Sequence, residues 1–168
     1  MAQKLKRMLV TIPLGVAVLL VVAILGVRWA VRSADTDFVD FATLARPTSP
    51  NTALACPAGL CTAKVDLVTE PVPLSAQDVA AKVAALTDVE PRTQIVRSDP
   101  AGTRFVLVQR SLLFDFPDTV NIAIQSVDAG HATLAIYSRS NYGHGDLGVN
   151  AARLKRWLDR LGVKWKVD

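Results

Sequence analysis

From Met8 to Val27 the chain reads MLVTIPLGVAVLLVVAILGV, without a single charged side chain. A helix through that run rises about 1.5 Å per residue and is about 30 Å long, the thickness of a bilayer's hydrocarbon core. Pro13, near its start, is tolerated in a membrane helix. Lys4, Lys6 and Arg7 precede the run; Arg28 and Arg32 follow it, with Asp35, Asp37 and Asp40 soon after. This bias predicts a cytoplasmic N-terminus and an exported C-terminal part. Trp29 falls where an interfacial aromatic belt would lie. A cleaved signal peptide competes with this reading, but the run is longer than a usual h-region and no A-x-A-like site follows it closely. The ALAC ending at Cys56 lies too far from the run to be a lipoprotein signal. The expectation is a single-pass protein of the inner (cytoplasmic) membrane whose C-terminal domain is periplasmic or otherwise extracytoplasmic.

The anchor explains the charge. The 168-residue chain has a formal net charge of +4, but five Lys/Arg and no acid lie up to Arg32. The remainder carries 14 basic and 15 acidic residues, a formal charge of −1. A nearly neutral domain offers no basic surface for nucleic acid, so that partner class is excluded.

Three parts follow: an anchor over 1–32, a juxtamembrane linker over 33–50, and an exported domain over 51–168. In the linker Phe38, Phe41 and Leu44 could form a short amphipathic turn that Pro47 and Pro50 end. SAQDVAAKVAAL predicts a helix capped by Ser75, with Asp78 at the capping-box position and Ala76, Val79, Val83 and Leu86 on one face. RTQIVRS and RFVLVQR predict strands around the turn DPAG, and TVNIAIQSV and TLAIYSRS a hairpin through DAGH. A last helix is expected from about Leu147 to Leu161, burying Leu147, Ala151, Leu154, Leu158 and Leu161. Arg153, Lys155, Arg156, Asp159 and Arg160 fill its outer face, and Gly162 ends it. VKWKV then alternates like an edge strand with lysine gatekeepers. The fold class is α+β: an antiparallel sheet with two helices packed on it, preceded by one N-terminal transmembrane helix.

Cys56 and Cys61, in CPAGLC, are the only cysteines. Outside the cytoplasm they should form a disulfide. A redox pair would more typically read C-x-x-C, and zinc would need His131 and His144 at a spacing that matches no standard site. No metal and no cofactor are expected.

The loop NYGHGDLGVN carries Gly143, Gly145 and Gly148 at G-x-G-x-x-G spacing. A dinucleotide site needs that loop inside a larger parallel sheet, whereas only one short strand follows here. Asp146 reads instead as the helix N-cap, its carboxylate taking the N–H of Gly148 or Val149, with Gly143 and Gly145 allowing the turn. Ser138, Ser140, His144 and Asp146 also lie close in sequence, which raises a serine-type hydrolase as the alternative function. No G-x-S-x-G elbow exposes either serine. SLLFDFPD places Leu112, Leu113, Phe114 and Phe116 at a strand break. Packing over the sheet is the favoured reading for them, a ligand pocket the other.

PNTALACPAGLC, EPRTQIV, RSLLFDFPDTVNI and SRSNYGHGDLGVNAARLKRWLDRL occur in that order. Together they resemble the family called domain of unknown function 1499 over about residues 50 to 162. The most specific piece is Ser138, Arg139, Ser140, Gly143, Asp146, Leu147, Gly148, Asn150 and Arg153; Pro91, Arg92, Phe116, Pro117 and Asp118 match as well. Gly145 stands where a polar residue is more usual, and His144 is no part of the pattern. The resemblance implies a small envelope- or plastid-associated domain, often with a membrane segment, and brings no reaction with it. It nominates Arg92, Asp118, Ser138, Arg139, Ser140, Asp146, Asn150 and Arg153 as a polar cluster and ligand-binding candidate. Strand alternation puts Ser138 and Ser140 on one side and Arg139 on the other. Such a cluster is either a satisfied network that fixes the fold or a cleft for an anionic ligand; the network is the favoured reading. The functional expectation is a membrane-anchored binding or assembly module of the cell envelope, without catalytic residues, whose partner is an envelope protein or a lipid.

Overall fold

The computed structural model of the chain describes the backbone of residues 2–168 and the side chains of residues 15–168. Seven strands form one sheet: β1 (Thr52–Pro57), β2 (Leu67–Thr69), β3 (Thr93–Ser98), β4 (Arg104–Arg110), β5 (Pro117–Ser126), β6 (Ala132–Ser140) and β7 (Trp165–Val167). The helices are α1 (Ala2–Ala30), α2 (Ala76–Val89) and α3 (Val149–Leu161). The order across the sheet is β3-β4-β5-β6-β1-β2-β7. The strands β3 to β6 form a meander because each turn between them is short and their apolar residues alternate toward a common face.

The α+β class stands, but the sheet is mixed. β1 and β2 run parallel, with Ala55 opposite Leu67 and Pro57 opposite Thr69. Parallel neighbours usually need a longer crossover, often a helix. Here residues 58–66 suffice because the chain doubles back on itself. Gly59, at φ +81°, turns it, and the disulfide between Cys56 and Cys61 holds the turn closed. Asp66 then meets the start of β1, its N–H donating to the Leu54 carbonyl and its carboxylate accepting the Leu54 N–H.

Two helices pack on one face. Val79, Val83 and Leu86 of α2 and Leu154, Trp157, Leu158 and Leu161 of α3 meet Leu107, Val120, Ile122, Leu134 and Ile136 of the sheet. Ser75 caps α2 by accepting the Asp78 N–H at 3.2 Å. The start of α3 corrects the expected pattern. Leu147 belongs to no helical face: its φ is +54° and it is wholly exposed. Arg153, expected on the outer face, is only 2% exposed. Asn150, Arg153, Leu154 and Trp157 recur at i, i+3, i+4 and i+7, so they share the face that meets the sheet.

The opposite face has its own small core of Phe41, Leu54, Cys56, Ala135 and Tyr137, covered by the disulfide loop and by residues 33–50. Those residues, read as a linker, lie along the sheet as a strap. Thr119 donates to the Asp35 carbonyl at 2.7 Å, Asn121 accepts the Val39 N–H at 3.1 Å, and Arg104 donates to the Val39 carbonyl. Arg97 and Arg104 stack over the Phe38 ring.

In α1, Val16, Val18, Leu19, Leu20, Val21, Val22 and Leu25 are exposed. Among the described residues no helix is long and apolar enough to cross a membrane. The first part of the expected span, Met8–Leu14, lies outside the residues whose side chains are described.

Candidate functional site

The seat of α3 on the sheet is polar at its N-terminal end. Arg153 reaches down between β4, β5 and β6 and places every arm of its guanidinium. Its Nε donates to Gln109 Oε1 at 2.7 Å and its Nη2 to Asp118 Oδ2 at 2.6 Å. Its Nη1 donates to Ser138 Oγ at 2.8 Å and to Asn150 Oδ1 at 2.6 Å. Ser138, fully buried, donates in turn to Asn150 Oδ1 at 2.6 Å. The Asn150 amide has the Asn51 carbonyl, Ser140 Oγ and Asp146 Oδ2 within 3.0 Å. Away from water such a network is stable only when its members are all engaged, and these are.

Asp146 closes the upper edge. Its carboxylate accepts the N–H of Gly148 at 2.9 Å and of Asn150 at 2.8 Å. The N-cap position itself belongs to Gly148, at φ +79°. Asp146 therefore does the capping chemistry from two residues outside, taking up the helix's free N–H groups and complementing its dipole. Burial pushes the Asp146 carboxyl up, but the hydrogen bonds from Asn150 and Gly148 prevail and hold it below the usual carboxylate value.

Six of the eight nominated residues thus meet: Asp118, Ser138, Ser140, Asp146, Asn150 and Arg153. The other two go elsewhere. Arg139 points to the opposite face and pairs with Asp35 of the strap. Arg92, at φ +54°, donates to the Arg110 carbonyl from an exposed turn. Gln109 and Asn51 belong to the network without having been nominated. The signal for Gln109 was a polar residue closing the apolar strand RFVLVQR opposite Asp118. A second buried charge was missed altogether: Glu90, 2% exposed, receives Arg156 at 2.9 Å and Arg160 at 2.9 Å. Burial works to raise its carboxyl, but the Arg156 hydrogen bonds lower it to about 2.

Above the network lies an open cleft of about 420 Å³. Its walls are two loops, Ser111 to Phe116 linking β4 to β5 and Tyr142 to Leu147 linking β6 to α3, with Val149 of the first turn of α3 beside the second. Asp118, Ser140 and Asp146 form its polar floor. Leu113, Phe114 and Leu147 are exposed on its rim. This corrects the favoured reading of SLLFDFPD as core. A backbone hydrogen bond from Ser111 N–H to the Phe116 carbonyl closes the loop, Asp115 takes φ +63°, and residues 112–114 are thrown outward. A larger depression, about 580 Å³, lies under the strap, but its two arginines are paired, Arg139 with Asp35 and Arg46 with Asp66.

Chemically, the buried serine has no base. Ser138 faces a guanidinium and an amide, neither of which takes a proton from a hydroxyl at neutral pH. The floor of the cleft offers acceptors, and its walls are apolar.

The family described as protein of unknown function (DUF1499) matches residues 43–161. Among curated proteins none matches the chain. Of solved structures, the di-domain ARO/CYC BexL from the BE-7585A biosynthetic pathway is similar at 16% identity and a TM-score of 0.37, covering 57% of this chain and 43% of its own. A START superfamily protein from Mycobacterium smegmatis is similar at 11% identity and a TM-score of 0.33, covering 57% of this chain and 93% of its own. The chain thus spans less than half of the BexL di-domain.

Proposed function

From the premise that this chain belongs to the DUF1499 family, matched over residues 43–161, we propose that it is a membrane-tethered binding module acting outside the cytoplasm. The charge-free run Met8–Val27 with its basic N-terminal flank supports the tether, as do the apolar side chains exposed around the described part of α1, from Val16 to Leu25. The disulfide suits an oxidising compartment. The observation that carries the binding role is the cleft. Apolar walls from two loops stand over a floor of acceptors, above a buried network that fixes both loop bases. A fitting occupant has an apolar body and a hydroxyl- or amine-bearing end that donates to Asp118, Ser140 or Asp146. An anionic end at the floor is disfavoured, since Asp118 and Asp146 stand there as carboxylates and Arg153 below them is already fully engaged.

A photoreactive long-chain alcohol tests this on the purified full chain. Cross-links are expected on Leu113, Phe114 or Tyr142, and Val149→Asp is expected to reduce them at least fivefold. Adducts spread evenly over the surface, or unchanged in that variant, would remove the cleft as the binding site. Stoichiometric labelling of Ser138 or Ser140 by a serine-reactive probe would instead favour a membrane-bound serine-type hydrolase. A reporter fused after Asp168 is expected to face away from the cytoplasm, and the opposite result would end the export reading.

A further inference from the structure

We infer that the two loops walling the cleft rest in the interface of the bilayer that holds α1, so that the cleft opens onto lipid. The inference rests on the tether reading and adds an orientation and a partner to it. The apolar run ends at Val27, and the next residue, Arg28, touches the first loop directly. Its guanidinium donates to the Leu113 carbonyl at 3.3 Å and lies 3.7 Å from Asp115. A helix spanning Met8–Val27 places Arg28 among the headgroups, where arginine side chains settle with their charge toward phosphate. The loop that Arg28 holds is then at headgroup depth too.

What that loop presents is apolar. Leu112 is 74% exposed and Leu113 54%, with Phe114 beside them. Across the cleft Leu147 is wholly exposed in a left-handed conformation that a leucine adopts only at a cost. Trp29, 69% exposed in the last turn of α1, lies at the same level along the chain. Exposed leucines on two separate loops, both bent through residues of positive φ, form a patch that water does not favour and an acyl-chain boundary does. Arg28 and Arg32 beside it suit anionic headgroups. The other end of the sheet differs. The β5–β6 hairpin tip, where Ser126 faces Ala132, carries Asp128 paired with His131.

The experiment uses the full chain in vesicles of phosphatidylcholine and phosphatidylglycerol. An environment-sensitive dye is attached in turn to Leu112→Cys, Leu147→Cys and Val127→Cys, the native cysteines being joined to each other. All three positions are exposed, so the fold does not depend on them. Lipid-borne nitroxide is expected to quench the dye at 112 and 147 at least threefold more than at 127, and aqueous iodide the reverse. Equal iodide quenching at all three sites, in protein that survives an alkaline wash of the vesicles, would overturn the inference and leave the tether standing. Dyes at 112 and 147 shielded from iodide yet untouched by the lipid quencher would mean that protein covers the patch, and would overturn it as well. Protein that washes off at alkaline pH would remove the tether and this orientation together.

Discussion

Arg153 and Arg139 stand on opposite faces of one sheet, and their surroundings differ in kind. Arg153 is closed in by Gln109 of β4, Asp118 of β5, Ser138 of β6 and Asn150 of its own helix. Arg139, the neighbour of Ser138 in sequence, has a single carboxylate partner, Asp35, on the strap. The first arginine is surrounded by four elements that must all be in place for it to be satisfied, so it specifies how α3 seats. The second joins the sheet to a strap that lies outside it, so its loss leaves the strand ladder and the seat of α3 untouched. Geometry of this sort separates an interaction that defines a fold from one that decorates it.

The largest effect is therefore expected at Arg153. Arg153→Met keeps the apolar stem and removes the guanidinium, leaving the buried Ser138 and Asn150 without their donor and the half-buried Asp118 without its counter-charge, and should cost about 3–5 kcal/mol. Urea unfolding of the detergent-solubilised full chain, followed by tryptophan emission, measures it. A loss below about 1 kcal/mol would put both arginines in one class and break the comparison.

Glu90 comes next, because it shares the inner face but pairs with two half-exposed arginines. Its carboxyl is lowered in the folded state from 4.5 to about 2. The unfolded chain thus binds the proton first as pH falls, and the stabilisation, complete at neutral pH, declines below 4.5 and is lost as pH passes about 2. Its size is about 3 kcal/mol. In Glu90→Gln that acid-dependent part should vanish, and an unchanged stability profile between pH 5 and 2 would exclude Glu90 as its source.

The smallest effect belongs to Arg139→Ala, expected to cost less than about 1 kcal/mol and to fade with added salt. A loss as large as that of Arg153→Met would make the strap part of the cooperative fold.

Much of this architecture was legible in the residues. The meander and both sheet-packed helices follow from alternation, turn residues and caps, and period two sent Ser138 and Arg139 to different faces. β1 and β2 were not legible. TALACP is rich in alanine, a weak strand former, and LVT is three residues long, so only their tertiary neighbours make them strands. The antiparallel expectation failed at that pair, where a disulfide-closed reversal replaces the usual long crossover. Arg153 looked like a surface residue because arginine usually is one. Its burial depends on Gln109 and Asp118, which lie 44 and 35 residues earlier in the chain. Glu90 carried no signal, since its arginine partners sit on a distant helix, the nearer of them, Arg156, 66 residues away.

The sheet's order also sets a timetable for the ribosome. Thr52 pairs with Arg139, so the first strand made waits for almost the last one. Adjacent hairpins β3 to β6 close short loops and can assemble early, whereas β1 must cross most of the nascent chain to reach the vacant side of β6. β2 and β7 can add only after it, and Lys166 opposite Val68 belongs to the outermost pairing. A chain of this topology therefore leaves the translation machinery with its sheet still unfinished.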